Sequence, residues 1–263
     1  MLPLRDDNPT RRVPIVTLVL IVANVAVYLL LQQPANTEAA GGARFVYEYA
    51  AIPCEVVTGD PLDADEIGRT VQLGEAEACV AEARPGVDEV FPEKRVWLAV
   101  VVSMFLHGSL LHLAGNMLFL WIFGNNIEDR LGPVRYVAFY VAAGVVATLV
   151  HIGFQPDSTV PLVGASGAIA GVMGAYLVWF PRARILTLAT FFLIEIPALW
   201  VLGFWFVSQF FINPMSGVAS MAHVGGFVFG VAFGLILRPG RRPPPDRPRS
   251  DRAPGRPADP PPW

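Results

Sequence analysis

Four polar residues set the chemical question for this chain. Ser166 lies in "VGASGAIAGVMG", residues Val163 to Gly174, where it is flanked by glycine and alanine. His112 and Asn116 lie in "FLHGSLLHLAGNM", and His223 in "MAHVGGFVFGVAFG". A serine beside an imidazole base is the minimum for an activated nucleophile, and a carboxamide with a second imidazole can donate hydrogen bonds to an oxyanion. Each residue also has a structural reading. A serine hydroxyl in a membrane helix can bond back to the carbonyl one turn earlier, and His or Asn can tie helices together. His112 and Asn116 are four apart and so share a helical face, with His107 rotated away from them. His151 has no such companion and is read as structural.

These residues stand in stretches built for lipid. Hydrophobic residues make up 54% of the 263 residues and charged ones only 16%, with a mean hydropathy of +0.49, which marks an integral membrane protein. Six stretches are apolar over about the 20 residues a helix needs to cross a bilayer. They run from Val13 to Gln32, Leu98 to Gly124, Tyr136 to Phe154, Ala165 to Phe180, Ile196 to Ile212 and Gly217 to Leu237. The apolar segment from Ile185 to Glu195 fits between spans and is placed at the membrane interface. The first stretch is longer than a signal-peptide core and no small-x-small cleavage pattern follows it closely, so it is kept as a span. A polar residue inside any of them is costly and is a functional candidate by default.

Charge orients the spans. Arg5, Arg11 and Arg12 precede the first, Arg130 and Arg135 separate the second and third, Arg182 and Arg184 follow the fourth, and Arg238, Arg241 and Arg242 follow the sixth. With six crossings all four clusters fall on one side, which the positive-inside rule makes cytoplasmic, so the chain is expected to be a multi-pass cell-membrane protein with both termini in the cytoplasm. The expected organisation is a cytoplasmic segment 1–12, a membrane domain 13–237 that includes an acidic external loop at about 33–97, and a disordered Pro/Arg-rich tail 238–263. The chain's two cysteines, Cys54 and Cys79, both lie in that loop. They are the one candidate disulfide, two free thiols being the alternative.

Two strips of small residues offer a way to bring polar residues of different spans together. Gly226, Gly230 and Gly234 follow His223 at intervals of four, and Ser166, Ala170 and Gly174 with Gly167 and Gly171 form a matching strip of small residues. Such strips let helices approach closely. If these two meet, Ser166 and His223, each near the outer end of its span, come within hydrogen-bonding reach.

Taken together, "GASG" at Gly164 to Gly167, "AHVGGFVFG" at Ala222 to Gly230 and "FLHGSLLHLAGNM" at Phe105 to Met117 resemble the rhomboid intramembrane serine proteases, over about Val96 to Leu237 plus the first span. The resemblance implies an all-α, six-transmembrane-helix bundle whose site opens to the outer side. It also implies Ser166 as nucleophile, His223 as base in a dyad without an acid, His112 and Asn116 as oxyanion-stabilising residues, and Glu128 with Arg130 as a structural pair. The chemistry implied is hydrolysis, without cofactor or metal, of single-span membrane protein substrates near the outer membrane face. The partners are those substrates and the lipid bilayer, and no nucleic acid. The chain departs from the family's pattern at Ala170, where an aromatic often packs on the catalytic histidine, so the His223 ring is expected to be held otherwise, by an aromatic from another span. The long acidic loop is a second departure, and substrate selectivity is expected to reside there.

Other classes fit less well. A soluble serine hydrolase wants Gly-x-Ser-x-Gly at a strand-to-helix elbow, whereas Ala168 holds the last place here. A transporter would show repeated halves with equivalent broken helices, which this chain lacks. The remaining alternative is a non-proteolytic rhomboid-like protein that binds or escorts other membrane proteins.

Overall fold

The computed structural model describes residues 2–36, 41–80, 88–213 and 217–237; the proline- and arginine-rich tail expected at 238–263 lies outside them. Three of its helices are long and apolar enough to cross a membrane: α1 (Ile15–Ala35), α6 (Leu110–Leu131) and α7 (Pro133–Phe154). Four shorter apolar helices accompany them, α5 (Val96–Phe105), α8 (Ser166–Trp179), α9 (Ala198–Phe211) and α10 (Ser220–Ile236). Short helices α2 (Gly41–Tyr49), α3 (Pro53–Thr58) and α4 (Ala64–Gly68) lie in the acidic segment.

The stretch read as one span from Leu98 to Gly124 is broken in two. Leu106 is extended (φ −92°, ψ 148°) and ends α5. Ser109 is extended as well, and its Oγ accepts the His112 N–H as the N-cap of α6. A serine that satisfies an otherwise orphaned N–H starts a new helix more cheaply than it continues the old one. Gln32 at the end of α1 clasps the bend, its carboxamide donating to the His107 carbonyl and accepting the His107 N–H. His107 is therefore on a non-helical turn, with its ring fully buried.

Nor is the fold purely helical. Strands β1 (Leu2–Asp6), β2 (Arg184–Ala189) and β3 (Phe192–Pro197) form an antiparallel sheet in the order β1-β2-β3. The segment expected to lie flat at the interface is thus a hairpin, pairing Arg184 with Pro197 through to Ala189 with Phe192. Thr190, with φ 58°, makes its turn. Pairing with the N-terminal strand satisfies backbone groups that an interfacial coil would leave to water or lipid.

Helices α7, α8 and α10 pack at backbone distance. A Cβ placed on Gly226 or Gly230 would run into the carbonyl oxygens of Gly167 and Gly171. Only glycine permits that approach, so the two small-residue strips do meet and fix the register of α8 against α10. Buried Tyr136, Tyr140, Tyr176, Phe123 and Met173 fill the space between these helices and α6.

Two carboxylates tie the N-terminal region to this bundle. Glu128 on α6 accepts the N–H groups of Val16 (2.9 Å) and Thr17 (2.8 Å) and the Thr17 hydroxyl. It thereby caps the start of α1, where orphan donors favour an anion. Arg130, expected to act with it, lies with its guanidinium over the rings of Phe180 (5.0 Å) and Trp179 (5.9 Å). Asp6 of β1 accepts hydrogen bonds from Tyr176 Oη and Asn126 Nδ2, both at 2.7 Å.

In the acidic segment Cys54 and Cys79 form a disulfide. Beside it Lys94 and Glu55 make an ion pair whose side chains are 1% exposed. Ser103 joins this segment to the loop before Ser166. Its Oγ accepts the Ala51 N–H at 2.6 Å and its carbonyl accepts the Gly164 N–H at 2.9 Å.

Candidate active site

The strip-to-strip packing of α8 and α10 places Ser166, the first residue of α8, beside His223 in the first turn of α10. His223 Nε2 is 2.8 Å from Ser166 Oγ. The close pairing follows from the glycines below it, since any side chain at Gly226 would push the helices, and with them the two reactive atoms, apart. Being at the helix start, Ser166 and the two residues after it carry N–H groups with no intrahelical acceptor.

The opposite wall comes from α6. Gly164 adopts φ +125°, a conformation that strains any other residue, and a Cβ there would stand 2.9 Å from His112 Cε1, 3.0 Å from His112 Nε2 and 3.6 Å from Asn116 Nδ2. Glycine at this place therefore lets the loop carrying Ser166 lie directly against both polar side chains. Asn116 is buried at 7% exposure, and its Nδ2 has no hydrogen-bond partner. A buried donor without an acceptor is a cost the fold carries for some other purpose. His112 Nδ1 receives the Gly108 N–H at 3.4 Å, which leaves its proton on Nε2, the atom facing Gly164. Nε2–H and Nδ2–H2 are thus two donors converging beside Ser166. A cavity of about 30 Å³, lined by Met104, Gly144, Gly164, Ser166 and Ala222 among others, lies beside Ser166; it has room for one water or a methyl-sized group.

All four residues singled out in the sequence are brought together. His107 touches the group from the rim, its ring 5.2 Å from that of His112 in an edge-to-face contact. His151 is buried on α7, its Nδ1 without a hydrogen-bond partner. Ala170, fully buried one turn after Ser166, contributes no ring. The aromatic expected from another span is Trp205 of α9, whose ring centroid is 5.7 Å from that of His223 at an interplanar angle of 39°.

One residue of the site was not found from sequence. Gln209, in the last turn of α9, places Oε1 2.8 Å from His223 Nδ1. A glutamine inside the apolar run "GFWFVSQFFI" is itself an expensive polar residue and was the available signal. Among the described residues, the one cluster with metal-ligand potential is Cys54, Glu66 and Cys79 in the acidic segment, and its cysteines are joined to each other.

The family model described as the Rhomboid domain matches residues 94–240. RHOMBOID-like protein 5 of Arabidopsis thaliana is 33% identical over 142 residues, covering 53% of this chain and 44% of that protein. Rhomboid protease GluP of Bacillus subtilis (strain 168) is 33% identical over 135 residues, covering 51% of this chain and 25% of that protein. The human Presenilin-associated rhomboid-like protein, mitochondrial, is 34% identical over 144 residues, covering 51% and 36% respectively. The matched region is less than half the length of each of these relatives.

Proposed function

Because the chain belongs to the rhomboid family, we propose that this multi-pass membrane protein is an intramembrane serine endopeptidase with Ser166 as nucleophile and His223 as general base. The observation that carries the reading is the 2.8 Å contact of His223 Nε2 with Ser166 Oγ, together with the unpartnered Nδ2 of Asn116 lying against Gly164, two residues before Ser166. The similarity to a Bacillus subtilis relative named as a rhomboid protease supports the same class.

His223 Nε2 takes the Ser166 proton as Oγ attacks the scissile carbonyl carbon. The carbonyl oxygen becomes an oxyanion and accepts hydrogen bonds from Asn116 Nδ2, His112 Nε2 and the Ser166 backbone N–H. The imidazolium then gives its proton to the leaving amine, the C–N bond breaks, and an acyl ester remains on Ser166. Water, deprotonated by the same Nε2, attacks the ester and releases the new carboxyl end. Donors held in place before charge develops do not have to reorganise at the moment of reaction, which is why an orphaned Asn116 is tolerated in the resting site.

In this reading α1, α6, α7, α8, α9 and α10 are six spans of one bundle, both termini are cytoplasmic, and Ser166 lies near the outer face. Substrates are single-span membrane proteins whose backbone unwinds there, because the scissile peptide must be extended to reach Oγ. Mass-spectrometric mapping of a fluorophosphonate adduct tests the site directly. The adduct is expected on Ser166 in the wild type and absent in His223→Ala. Labelling of no serine by the folded protein would favour a non-proteolytic rhomboid-like role in binding membrane proteins.

A further inference from the structure

Gln209 is 4% exposed and belongs to none of the motifs that carry the family resemblance. Its carboxamide orientation is fixed by its other partners. Nε2 donates to the Trp205 carbonyl at 2.9 Å, an oxygen that can only accept, and approaches Ser208 Oγ at 3.3 Å. Ser208 Oγ in turn donates to the same Trp205 carbonyl at 2.6 Å, so it accepts from Gln209. With Nε2 committed, the atom facing His223 Nδ1 at 2.8 Å is Oε1, which can only accept. Nδ1 must then carry the imidazole proton, and Nε2 is left with a lone pair directed at the Ser166 hydroxyl.

Resting on the protease reading above, we propose that Gln209 is a positioning residue that holds His223 in the Nδ1–H tautomer and in the ring orientation that general-base catalysis requires. A neutral amide does here what a carboxylate does in serine-protease triads, without a buried charge to desolvate. Trp205 bounds the ring on the same side, and α9 supplies both contacts. The side chain missing at Ala170 of α8 is thus replaced in function by two from α9. Without Gln209 the imidazole can adopt the Nε2–H form or rotate, and either removes the base from Oγ.

Among the described residues, the titratable side chains that act on His223 are His112 on α6 and His151 on α7, so a carboxylate introduced at position 209 would add an anion to a set that holds only imidazoles. The test uses the full chain purified in detergent, with fluorophosphonate labelling at Ser166, kcat and KM for a fluorogenic transmembrane peptide from pH 5.5 to 9, and ¹⁵N-histidine spectra. Gln209→Ala is expected to lower labelling rate and kcat by about 10- to 100-fold, the scale on which partners that orient a functional histidine act, with KM little changed. The Nδ1–H signal of His223 should be lost in the same variant. Gln209→Glu keeps the accepting oxygen, so it should recover most of the activity at alkaline pH while its acid limb moves to higher pH. Wild-type labelling rate and pH profile in Gln209→Ala, or a wild-type spectrum with the proton on Nε2, would overturn the assignment while Ser166 labelling leaves the protease reading standing. Absence of Ser166-dependent labelling in the wild type overturns both. Should Gln209→Ala not fold, Gln209→Glu decides: an acid limb that does not move contradicts contact with His223.

Discussion

Asn116 separates transition-state binding from folding at the scale of one residue. Its Nδ2 is buried and without an acceptor, so alanine removes an unpaired donor and breaks no hydrogen bond made by that group. Asn116→Ala should therefore lower kcat by roughly 10- to 1000-fold, the range for one oxyanion donor, with a smaller effect on KM and an unchanged thermal midpoint. A destabilised variant with normal turnover per folded molecule would remove Asn116 from the chemistry. The polar residues of this site were legible because each stands out against lipid-compatible surroundings, and because Ser166, His223, His112 and Asn116 fall in recognisable local patterns. Gln209 was not. Its partner is fourteen positions away across a loop, and no local spacing announces a contact that depends on how the end of α9 leans over α10.

Among the elements, the glycine strips did most to make the site readable, since a four-residue interval of glycines predicts close helix contact whatever the rest of the bundle does. Two features were not legible for lack of such periodicity. The stretch from Leu98 to Gly124 is apolar enough to read as one span despite its histidines and asparagine, and what divides it is backbone geometry, the extended Leu106 ending α5 and Ser109 capping α6. The β2–β3 hairpin is not visible as strands in the sequence because β3 exposes apolar residues on both faces, Phe192, Leu193 and Ile194 included, and so lacks the alternation that marks a half-buried strand. Its sheet is joined to the bundle through Asp6, and burial pushes that carboxyl above its ordinary range while the bonds from Tyr176 and Asn126 offset part of the rise. A folded-state pKa raised in this way contributes stability below the unfolded value that is lost as pH rises through the folded one. Lowering the pH from 7 should then raise the thermal midpoint of the wild type relative to Asp6→Asn. A midpoint difference that stays flat or moves the opposite way would show that Asp6 is not buried in the folded protein.

For the whole molecule, composition and charge made the membrane class and the acidic segment plain, while the way that segment joins the site depended on contacts between residues far apart in sequence. Ser103 links Ala51 to Gly164, and the Cys54–Cys79 disulfide closes a separation of 25 residues within the segment. Constraining a loop of that length contributes about 3.5 kcal/mol by chain entropy, so Cys54→Ala/Cys79→Ala should speed proteolysis of the segment in membranes. Finding the two thiols free in protein taken directly from membranes would contradict the bond. Burial pushes the Glu55 carboxyl up and the Lys94 ammonium down, each shift reduced by the other's charge. Lys94→Met alone should cost the segment roughly 3–5 kcal/mol in hydrogen-exchange protection by stranding Glu55, and adding Glu55→Gln should recover most of it. Unaltered protection in Lys94→Met would place the pair in solvent.

Cleavage of a labelled single-span substrate by purified protein shows whether Ser166 and His223 form one hydrolytic unit in the membrane. Wild type should cut the substrate near its outer end. Ser166→Ala and His223→Ala should each abolish cleavage, and the double variant should lose no more than either single one, because nucleophile and base act together. Continued cleavage by folded Ser166→Ala, at a rate comparable with wild type, would contradict the account.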